Sequence, residues 1–356
     1  MKALVLAGGH GTRLRPLTFT GNKHMLPIAN QPILHYALKS LAAAGIRDVG
    51  IILGPIQEGI GETIGDGSAF GLRVEYIRQG EPKGLAHAVL CAREFLGNEP
   101  FLMHLGDNLL QSGVQQFLHR FESRRPDAVV GATPVAHPEH YGVVELDGER
   151  ILSIEEKPLL PKSHLALIGV YLFTDAIHDV IEHLAPSRRG ELEITEAIWQ
   201  LCRRGKEVSV LEVRGWWKDT GHPDDLLEAN ELVLGSLPTE EFRLQGSIEP
   251  GAIVEGHVAV GPGSVIERGA RILGPTVLGA GVRVSGDSVV GPNTAIGNRV
   301  SLHRARVRRS IIMDGARIEG VALANSLIGR NVEIRSARPQ AGEAIVTVGD
   351  SARISL

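Results

Sequence analysis

An aliphatic residue recurs at every sixth position near the end of this chain, and this period strongly limits how the chain can fold. Neither the 3.6-residue period of a helix nor the two-residue period of a strand produces a strict repeat of six. A triangular solenoid does, because each six-residue segment forms one side of a coil and directs its aliphatic side chain inward. The ten successive positions are Ile248, Val254, Val260, Ile266, Ile272, Leu278, Val284, Val290, Ile296 and Leu302.

The period is interrupted after Leu302. It shifts by four residues before Ile312 and by four again before Ile328, and we interpret each shift as a loop at a coil corner. The repeat resembles that of hexapeptide-repeat proteins, which implies a left-handed parallel β-helix for residues 247–356. Residues 336–356 lack the period, except for a strand predicted near 344–348.

The chain before residue 235 alternates strand-like and helix-like segments. This alternation predicts an α/β fold with a mostly parallel, Rossmann-like sheet, helices on both faces and ligands at the carboxyl ends of strands. Strands are predicted at 2–7, 48–53, 101–105, 127–135, 142–146, 164–173 and 207–213, and helices near 31–44, 85–96, 175–184, 193–204 and 223–235. Residues 1–235 are therefore predicted to form the catalytic domain, and residues 236–246 a connector to the solenoid.

A glycine-rich loop follows the first predicted strand. Residues 8–13 read Gly-Gly-His-Gly-Thr-Arg, and Lys23 lies ten residues after Arg13. Glycines let backbone N–H groups approach phosphate oxygens, and cations offset the charge of a polyphosphate. The spacing does not fit a Walker loop, because no lysine follows Gly11 in that register. It does not fit a dinucleotide fingerprint either, because Leu14 stands where the third glycine is needed.

This loop resembles, almost residue for residue, the signature loop of the sugar-1-phosphate nucleotidyltransferases. Further segments match that family in order and spacing over residues 1–235, most strongly its glucose-1-phosphate thymidylyltransferases. The solenoid resembles the C-terminal domain of their long form. The matching segments are Gln79-Gly-Glu-Pro-Lys-Gly-Leu-Ala-His-Ala, Leu105-Gly-Asp-Asn, Tyr141-Gly-Val-Val-Glu, Glu155-Glu-Lys-Pro, Arg189-Gly-Glu-Leu-Glu-Ile-Thr-Glu and Trp217-Lys-Asp-Thr-Gly.

The resemblance assigns Asp107 and Asp219 to a catalytic Mg²⁺. Mg²⁺ takes hard oxygen ligands and is usually held by one or two carboxylates together with substrate phosphates. Asp107 follows an apolar strand and Gly106, so we expect its carboxylate at a strand end. Asp219 could instead cap the helix predicted near Pro223.

The resemblance also assigns four cations to the substrates. Arg13 and Lys23 would contact the triphosphate and the transferring phosphoryl group, and Lys157 and Arg189 the sugar phosphate. Such cations neutralise charge that would otherwise keep the two phosphates apart. With Asp107, the first three form the predicted catalytic set. Arg189 could instead be a surface residue beside Arg188.

Sugar binding is assigned to polar groups at matching family positions, since a carboxylate can accept from two hydroxyls. Glu156 is the main candidate, and Tyr141 could contact the sugar or be an ordinary core tyrosine. The others are Asn108, Glu191 and the backbone of Gly142 and Leu167.

Nucleotide binding is assigned to Gly8, Gly9, Gly11 and Thr12 of the loop and to a second segment. There Gln79 would present its amide to a pyrimidine edge, and Gly84 would allow close backbone approach. His87 departs from the pattern, because thymidylyltransferases often have glutamine at this position and uridylyl-transferring relatives often have histidine. Both dTTP and UTP therefore remain candidates.

Composition excludes several classes of partner. The 356 residues carry a net charge of −4, which predicts no nucleic-acid surface, and no basic block suggests a membrane surface. No run reaches about 18 apolar residues. The two cysteines, Cys91 and Cys202, are predicted to be reduced thiols of a cytoplasmic protein.

The leading hypothesis is Mg²⁺-dependent transfer from dTTP to glucose 1-phosphate, giving dTDP-glucose and pyrophosphate. One alternative is a UTP-dependent uridylyltransferase. Another is a bifunctional enzyme whose β-helix transfers an acyl group, although its only histidines are His257 and His303. A non-catalytic homologue is the last alternative. We expect the β-helix to mediate a homo-oligomer, and a chain cut near residue 236 to keep some activity.

Overall fold

The computed structural model describes residues 1–56, 59–336 and 342–356. Residues 1–10 and 34–219 form one compact unit, and residues 11–33 and 220–356 form a second. The second unit thus contains the β-helix, the helix that precedes it and the segment after the glycine-rich loop. No helix within these described ranges has the length and apolar character needed to cross a membrane.

The elements up to residue 236 are short strands and helices. The strands are β1 Lys2–Ala7, β2 Pro27–Ile28, β3 Gln31–Pro32, β4 Asp48–Leu53, β5 Arg73–Arg78, β6 Phe101–Leu105, β7 Asn108–Leu110, β8 Ala128–Pro134, β9 Gly142–Asp147, β10 Arg150–Glu156, β11 Leu165–Phe173, β12 Val208–Glu212 and β13 Trp217–Asp219. The helices are α1 Ile33–Ala43, α2 Ile60–Ile64, α3 Leu85–Cys91, α4 Arg93–Leu96, α5 Gln115–Arg124, α6 Ala176–Ile181, α7 Ile194–Arg203 and α8 Pro223–Ser236.

The first unit is built on a Rossmann-like sheet, as predicted. Its strand order is β10-β9-β11-β6-β1-β4-β5, with β8 beside β11 and β12 beside β8. Strands β6, β1, β4 and β5 are parallel. The β11 pairings with β6, β8 and β9 are antiparallel, which the sequence pattern did not indicate. Strands β9 and β10 are a further antiparallel pair. They form a hairpin, and the positive φ of Gly148 makes its tight turn possible.

The core of this unit joins the sheet to three helices. Leu4 and Met103 from the parallel strands pack in one cluster with Val89 of α3, Ile177 of α6 and Ile198 of α7. All five side chains are almost completely buried. The carboxyl ends of β1 and β6 are therefore held on a rigid scaffold, as the binding prediction requires.

The β-helix consists of three stacked parallel sheets, which fits the predicted left-handed fold. Its strands are β14 Ser247–Ile248, β15 Ile253–Glu255, β16 Val258–Val260, β17 Val265–Ile266, β18 Arg271–Leu273, β19 Thr276–Leu278, β20 Arg283–Ser285, β21 Val289–Val290, β22 Thr294–Ile296, β23 Ser301–His303, β24 Arg306–Arg308, β25 Ile311–Ile312, β26 Arg317–Glu319, β27 Ala322–Ala324, β28 Leu327–Ile328, β29 Glu333–Arg335, β30 Thr347–Val348 and β31 Arg353–Ser355. The aliphatic positions stack in register, for example Ile266 on Val284 and Val284 on Leu302.

The predicted corner loops are wrong. Between Leu302 and Ile312 the structure has another strand, β24, whose Val307 is 1% exposed and pairs with Val290. Leu323 of β27 fills the same place in the next coil. Each ten-residue interval is thus two sides of five residues. The corner before β24 is one residue shorter than the corners between six-residue sides. Arg304 forms its turn, with a φ of 47°.

A second buried row consists of small residues two positions before the aliphatic ones, and several are serines that bond between coils. Ser310 donates its hydroxyl to the Arg308 carbonyl at 2.7 Å and accepts from the Ser326 N–H at 3.0 Å. Ser326 in turn accepts from the Val346 N–H at 3.0 Å. The strand predicted near 344–348 is present as β30, so the coil pattern resumes after residues 337–341, which lie outside the described residues.

Candidate active site

Strands β7 and β13 bring the two predicted metal ligands to neighbouring positions of the backbone. They pair antiparallel with Asp219 opposite Asn108, the residue after Asp107. Directly opposed residues of such a pair have Cα atoms about 4.5–5.5 Å apart. Helix α8 begins at Pro223 with His222 as its N-cap residue, and the Asp225 carboxylate accepts from the His222 N–H at 3.0 Å. Asp219 is therefore not the cap of that helix.

The two carboxylates fit a magnesium ion that the substrates help to bind. Both are half-buried at the carboxyl end of the β6 region. In the described parts of the chain, no three His, Cys, Asp or Glu side chains are grouped as a self-sufficient metal site. Mg²⁺ commonly takes one or two carboxylates and completes its shell with phosphates and waters.

Asn108 orients the Asp107 carboxylate. Its side chain is 3% exposed, and Oδ1 accepts from Trp217 Nε1 at 2.7 Å and from the Gly169 N–H at 3.1 Å. Its Nδ2 donates to Asp107 Oδ1 at 3.0 Å. Gly169, which no motif indicated, leaves room for this amide, since a Cβ there would lie 2.7 Å from Asn108 Oδ1. Trp217, the first residue of the last matching segment, supplies the other donor.

Glu156 and Arg189 belong to one charged cluster. The Arg189 guanidinium lies 3.4 Å from Glu156, 3.3 Å from Glu191 and 3.3 Å from Glu193. Arg189 is thus held by carboxylates of its predicted site and is not an isolated surface cation. Thr195 donates its hydroxyl to Glu156 at 3.1 Å. Glu193 and Thr195 were not predicted as site residues, although both lie within the Arg189 motif.

Burial shapes the charge of Glu156. Desolvation raises the pKa of its carboxyl, and the nearby Glu193 carboxylate raises it further. Lys157, Thr195 and Arg189 oppose this shift. A partly desolvated carboxylate between donors suits the binding of sugar hydroxyls, which also donate hydrogen bonds.

Residues around Tyr141 complete this side of the site. Tyr141 is half-buried and meets Trp217 edge to face at 5.4 Å between ring centroids, so it is not a core tyrosine. Its carbonyl accepts from the Lys157 N–H at 2.9 Å, and Lys157 itself has a φ of 46°. Gly142 must lack a side chain, because a Cβ would lie 2.5 Å from Thr195 Cγ2. Leu167 lies buried beside it.

Gln79 lies between the first glycine of the loop and α3. A Cβ on Gly8 would lie 3.0 Å from Gln79 Oε1. Gln79 Nε2 donates to the Gly84 carbonyl at 3.1 Å and to His87 Nδ1 at 3.2 Å. Burial lowers the pKa of His87, as does Lys83, which keeps the ring neutral and able to accept. His87 thus orients Gln79, a role that the sequence reading did not assign.

The glycine-rich loop from Gly11 onward is part of the second unit. Gly11 has a φ of 62°, and a Cβ there would lie 3.1 Å from the Lys23 Cβ. Thr18 donates its hydroxyl to the Gly11 carbonyl at 2.7 Å. Arg13 Nη1 lies 2.9 Å from His222 Nε2, a partner that no motif indicated. Gly9 and Thr12 are exposed at the start of this loop.

The β-helix histidines have structural partners. His257 stacks on Phe242 with 5.0 Å between ring centroids, and His303 Nδ1 lies 3.0 Å from the Ser285 hydroxyl. These histidine contacts provide no support for acyl transfer in the solenoid. Outside the solenoid, Cys91 and Cys202 are free and half-buried.

Comparisons with known proteins show the family of the chain. A family model described as "Nucleotidyl transferase" matches residues 2–236. A glucose-1-phosphate thymidylyltransferase of Streptomyces griseus is 46% identical over 100% of this chain and 99% of its own length. A crystal structure of a putative glucose-1-phosphate thymidylyltransferase from Bacillus anthracis superposes with a TM-score of 0.62 and 36% identity, covering 65% of this chain and 94% of that one. A UDP-glucose pyrophosphorylase complexed with UDP-glucose superposes with a TM-score of 0.59 and 27% identity, covering 66% and 99%. The chain is a nucleotidyltransferase and belongs to the nucleotidyl transferase family.

Proposed function

We propose that the protein transfers a thymidylyl group from dTTP to glucose 1-phosphate and releases pyrophosphate, giving dTDP-glucose. The observation that carries this proposal is the β7–β13 pairing, in which Asp219 stands opposite Asn108, the neighbour of Asp107, while Trp217 of the same pair contacts Tyr141. The full-length likeness to a relative named glucose-1-phosphate thymidylyltransferase supports the choice of substrates.

The residues act mainly by positioning and by charge. An oxygen of the sugar phosphate attacks the α-phosphorus in line, the new P–O bond forms, and the bond to pyrophosphate breaks. Because the attacking phosphate is already ionised near neutral pH, the step needs no general base. Lys157 and Arg189 hold the sugar phosphate, and Arg13 and Lys23 hold the triphosphate. Arg189 then exchanges part of its contact with Glu156 for the phosphate.

The proposed reaction uses Mg²⁺. When bound, Mg²⁺ neutralises charge on the phosphates. Asp107 and Asp219 would hold it, and Asn108 fixes the Asp107 carboxylate through the 3.0 Å bond. Trp217 Nε1 and the Gly169 N–H donate to Asn108 Oδ1 and hold the Asn108 amide in place, so this amide keeps the Asp107 carboxylate oriented.

A UTP-dependent reaction is the second candidate, and His87 favours it. His87, which bonds to Gln79, stands where thymidylyltransferases often have glutamine. In addition, one structural neighbour is a UDP-glucose pyrophosphorylase. Initial rates with dTTP, UTP, dCTP and ATP, each against glucose, N-acetylglucosamine and mannose 1-phosphates, test the assignment. The highest specificity constant for dTTP with glucose 1-phosphate supports the first candidate, and a higher one for UTP supports the second.

The metal assignment has its own test. We expect Asp107→Asn and Asp219→Asn to lower kcat by at least about a hundredfold, because each removes a carboxylate from the ion. Asp147→Asn, at the exposed end of β9, is the matched control and should stay within about twofold of wild type. Near-wild-type turnover of either site variant at limiting Mg²⁺ would exclude that residue as a ligand.

We also propose that the β-helix mediates a homo-oligomer, because its flat sides and coil ends suit self-association. Sedimentation of the full chain measures this directly. A particle with the 38.2 kDa mass of one chain would reject the proposal.

A further inference from the structure

The segment that carries Arg13 and Lys23 ends in a tight hairpin formed by β2 and β3. The two connecting residues, Ala29 and Asn30, have φ values of 46° and 63°, as a type I′ turn requires. The Ile33 N–H donates to the Leu26 carbonyl at 3.0 Å and closes the base of the hairpin. This turn is therefore a rigid feature only a few residues after Lys23.

Asn230 of α8 connects this hairpin to the β-helix. It is a polar side chain with only 1% exposure. Its Oδ1 accepts from the Ala29 N–H at 2.9 Å, and its Nδ2 donates to the Asn293 carbonyl at 3.3 Å. Since an unpaired buried amide is costly, both bonds together fix the position of the hairpin.

Direct bonds join the same two parts of the second unit. Asn30 Nδ2 donates to the carbonyl of Ile296, an inward position of β22, at 2.7 Å. Nearer to the loop, the Thr20 hydroxyl donates to Asp350 Oδ2 at 2.8 Å. The other oxygen of Asp350 accepts from the Arg330 N–H at 2.7 Å, so this carboxylate is itself fixed to a coil corner.

Helix α8 is bound to a row of β-helix corners. Glu231 accepts from Asn293 Nδ2 at 2.7 Å and from Arg309 Nε at 3.0 Å. Arg309 Nη1 donates in turn to Asn325 Oδ1 at 2.9 Å. Asn293, Arg309 and Asn325 all have positive φ, so three successive coils turn at this row. The helix that presents Asn230 is thus held by the solenoid.

We propose that Asn30 and Asn230 are positioning residues through which the β-helix fixes the triphosphate-binding segment. The inference rests on the proposed function, because it gives Arg13 and Lys23 their role. It also changes the expectation for a chain cut near residue 236. Such a chain lacks Asn293, Ile296 and Asp350, so the segment loses its acceptors and nucleotide binding should weaken.

The first test is Asn30→Gly in the full chain. Glycine suits the positive φ of this position, so the change removes little more than the bond to Ile296. We expect the KM for the nucleotide to rise about three- to tenfold, the effect of one lost hydrogen bond, while the KM for glucose 1-phosphate stays within about twofold. Asn331→Gly is the matched control, since Asn331 also has a positive φ, of 55°, at a coil corner and its backbone bonds to Asp314. It should change neither constant.

The second test is Asn230→Leu, which keeps the size of the side chain and removes both bonds. We expect a larger rise in nucleotide KM and faster amide hydrogen exchange at Ala29, whose N–H loses its acceptor. If this variant fails to fold, Asn30→Gly decides. An unchanged nucleotide KM in Asn30→Gly, or equal rises for both substrates, would overturn the proposal.

The two proposals fail in different ways. The ratio of variant to wild-type constants is measured with whichever nucleoside triphosphate the wild type uses best. A wild type that prefers UTP therefore rejects the dTTP assignment and leaves the positioning test intact. The hydrogen-exchange measurement needs no catalysis at all.

Discussion

Lowering the pH from about 7 to about 5 should destabilise the wild-type protein by about 2 kcal/mol more than it destabilises a His104→Asn variant. His104 lies in β6 below the Asp107 turn and is 2% exposed. Its Nδ1 donates to the Leu105 carbonyl at 2.7 Å, and burial lowers its pKa from 6.5 to about 4.

The direction follows from proton uptake. In the unfolded chain His104 binds a proton below its ordinary pKa of 6.5, whereas in the folded protein it stays neutral until the pH approaches about 4. Its contribution to stability is therefore complete above pH 6.5 and is lost progressively as the pH falls through this window. Near pH 5 the unfolded side chain is almost fully protonated and the folded one is mostly neutral, which gives the figure of about 2 kcal/mol.

Urea unfolding followed by tryptophan fluorescence measures this difference. The three tryptophans, Trp199, Trp216 and Trp217, all lie in the first unit together with His104. Asparagine keeps a donor near the Nδ1 position but does not titrate. The smaller side chain should lower stability at every pH, so the readout is the change with pH and not the absolute value.

The control is His119→Asn, which replaces an exposed histidine on α5. Its stability should change with pH in parallel with the wild type. If His104→Asn also ran parallel to the wild type, His104 would be protonated in the folded protein, and the argument from burial would be refuted.

Two further predictions concern single contacts. Ser310→Ala should lower the free energy of unfolding of the β-helix by about 1–3 kcal/mol in thermal or urea unfolding, because the Ser326 N–H loses its buried acceptor, whereas Ser301→Ala on the outward face should cost almost nothing. Gly84→Ala should raise the nucleotide KM at least about tenfold, since its Cβ would lie 2.5 Å from the Leu192 carbonyl oxygen and would move the acceptor of Gln79. Gly80→Ala, at a φ of 67° but with nothing within 4 Å, separates backbone strain from this clash, and equal effects of the two variants would contradict it.

The sequence predicted the parts of the fold that strong periodic patterns specify. Every inward hexad position from Val260 to Leu302 is buried, because each of these side chains points from one side of the coil into its interior. Strands β1, β4 and β6 were equally clear, since they are largely apolar segments, whereas β5, with the sequence Arg-Val-Glu-Tyr-Ile-Arg, was not predicted. The five-residue sides were missed because the interruption of the six-residue period after Leu302 was interpreted as a loop. Val307, an aliphatic residue five positions after Leu302, in fact continues the row.

The site was predicted less completely. Motifs identified Asp107 and Asp219, but the ribbon that pairs their strands joins three-residue segments more than a hundred positions apart, too short for any local pattern. The residues that support the site were harder still to predict from the sequence. His222 and Asn230 act through side-chain bonds that only the tertiary structure creates.

The five-residue sides also determine what sets the length of the β-helix. Leu302 pairs with Ile318, 16 residues further on, whereas Val284 pairs with Leu302, 18 residues further on. Both steps advance the axis by the same spacing of about 4.8 Å, because strand pairing fixes it. The axial length therefore counts coils and not residues. Evolution can add or remove single residues at corners without changing how far apart two surfaces stand along this axis, and it alters that distance only by gaining or losing a whole coil.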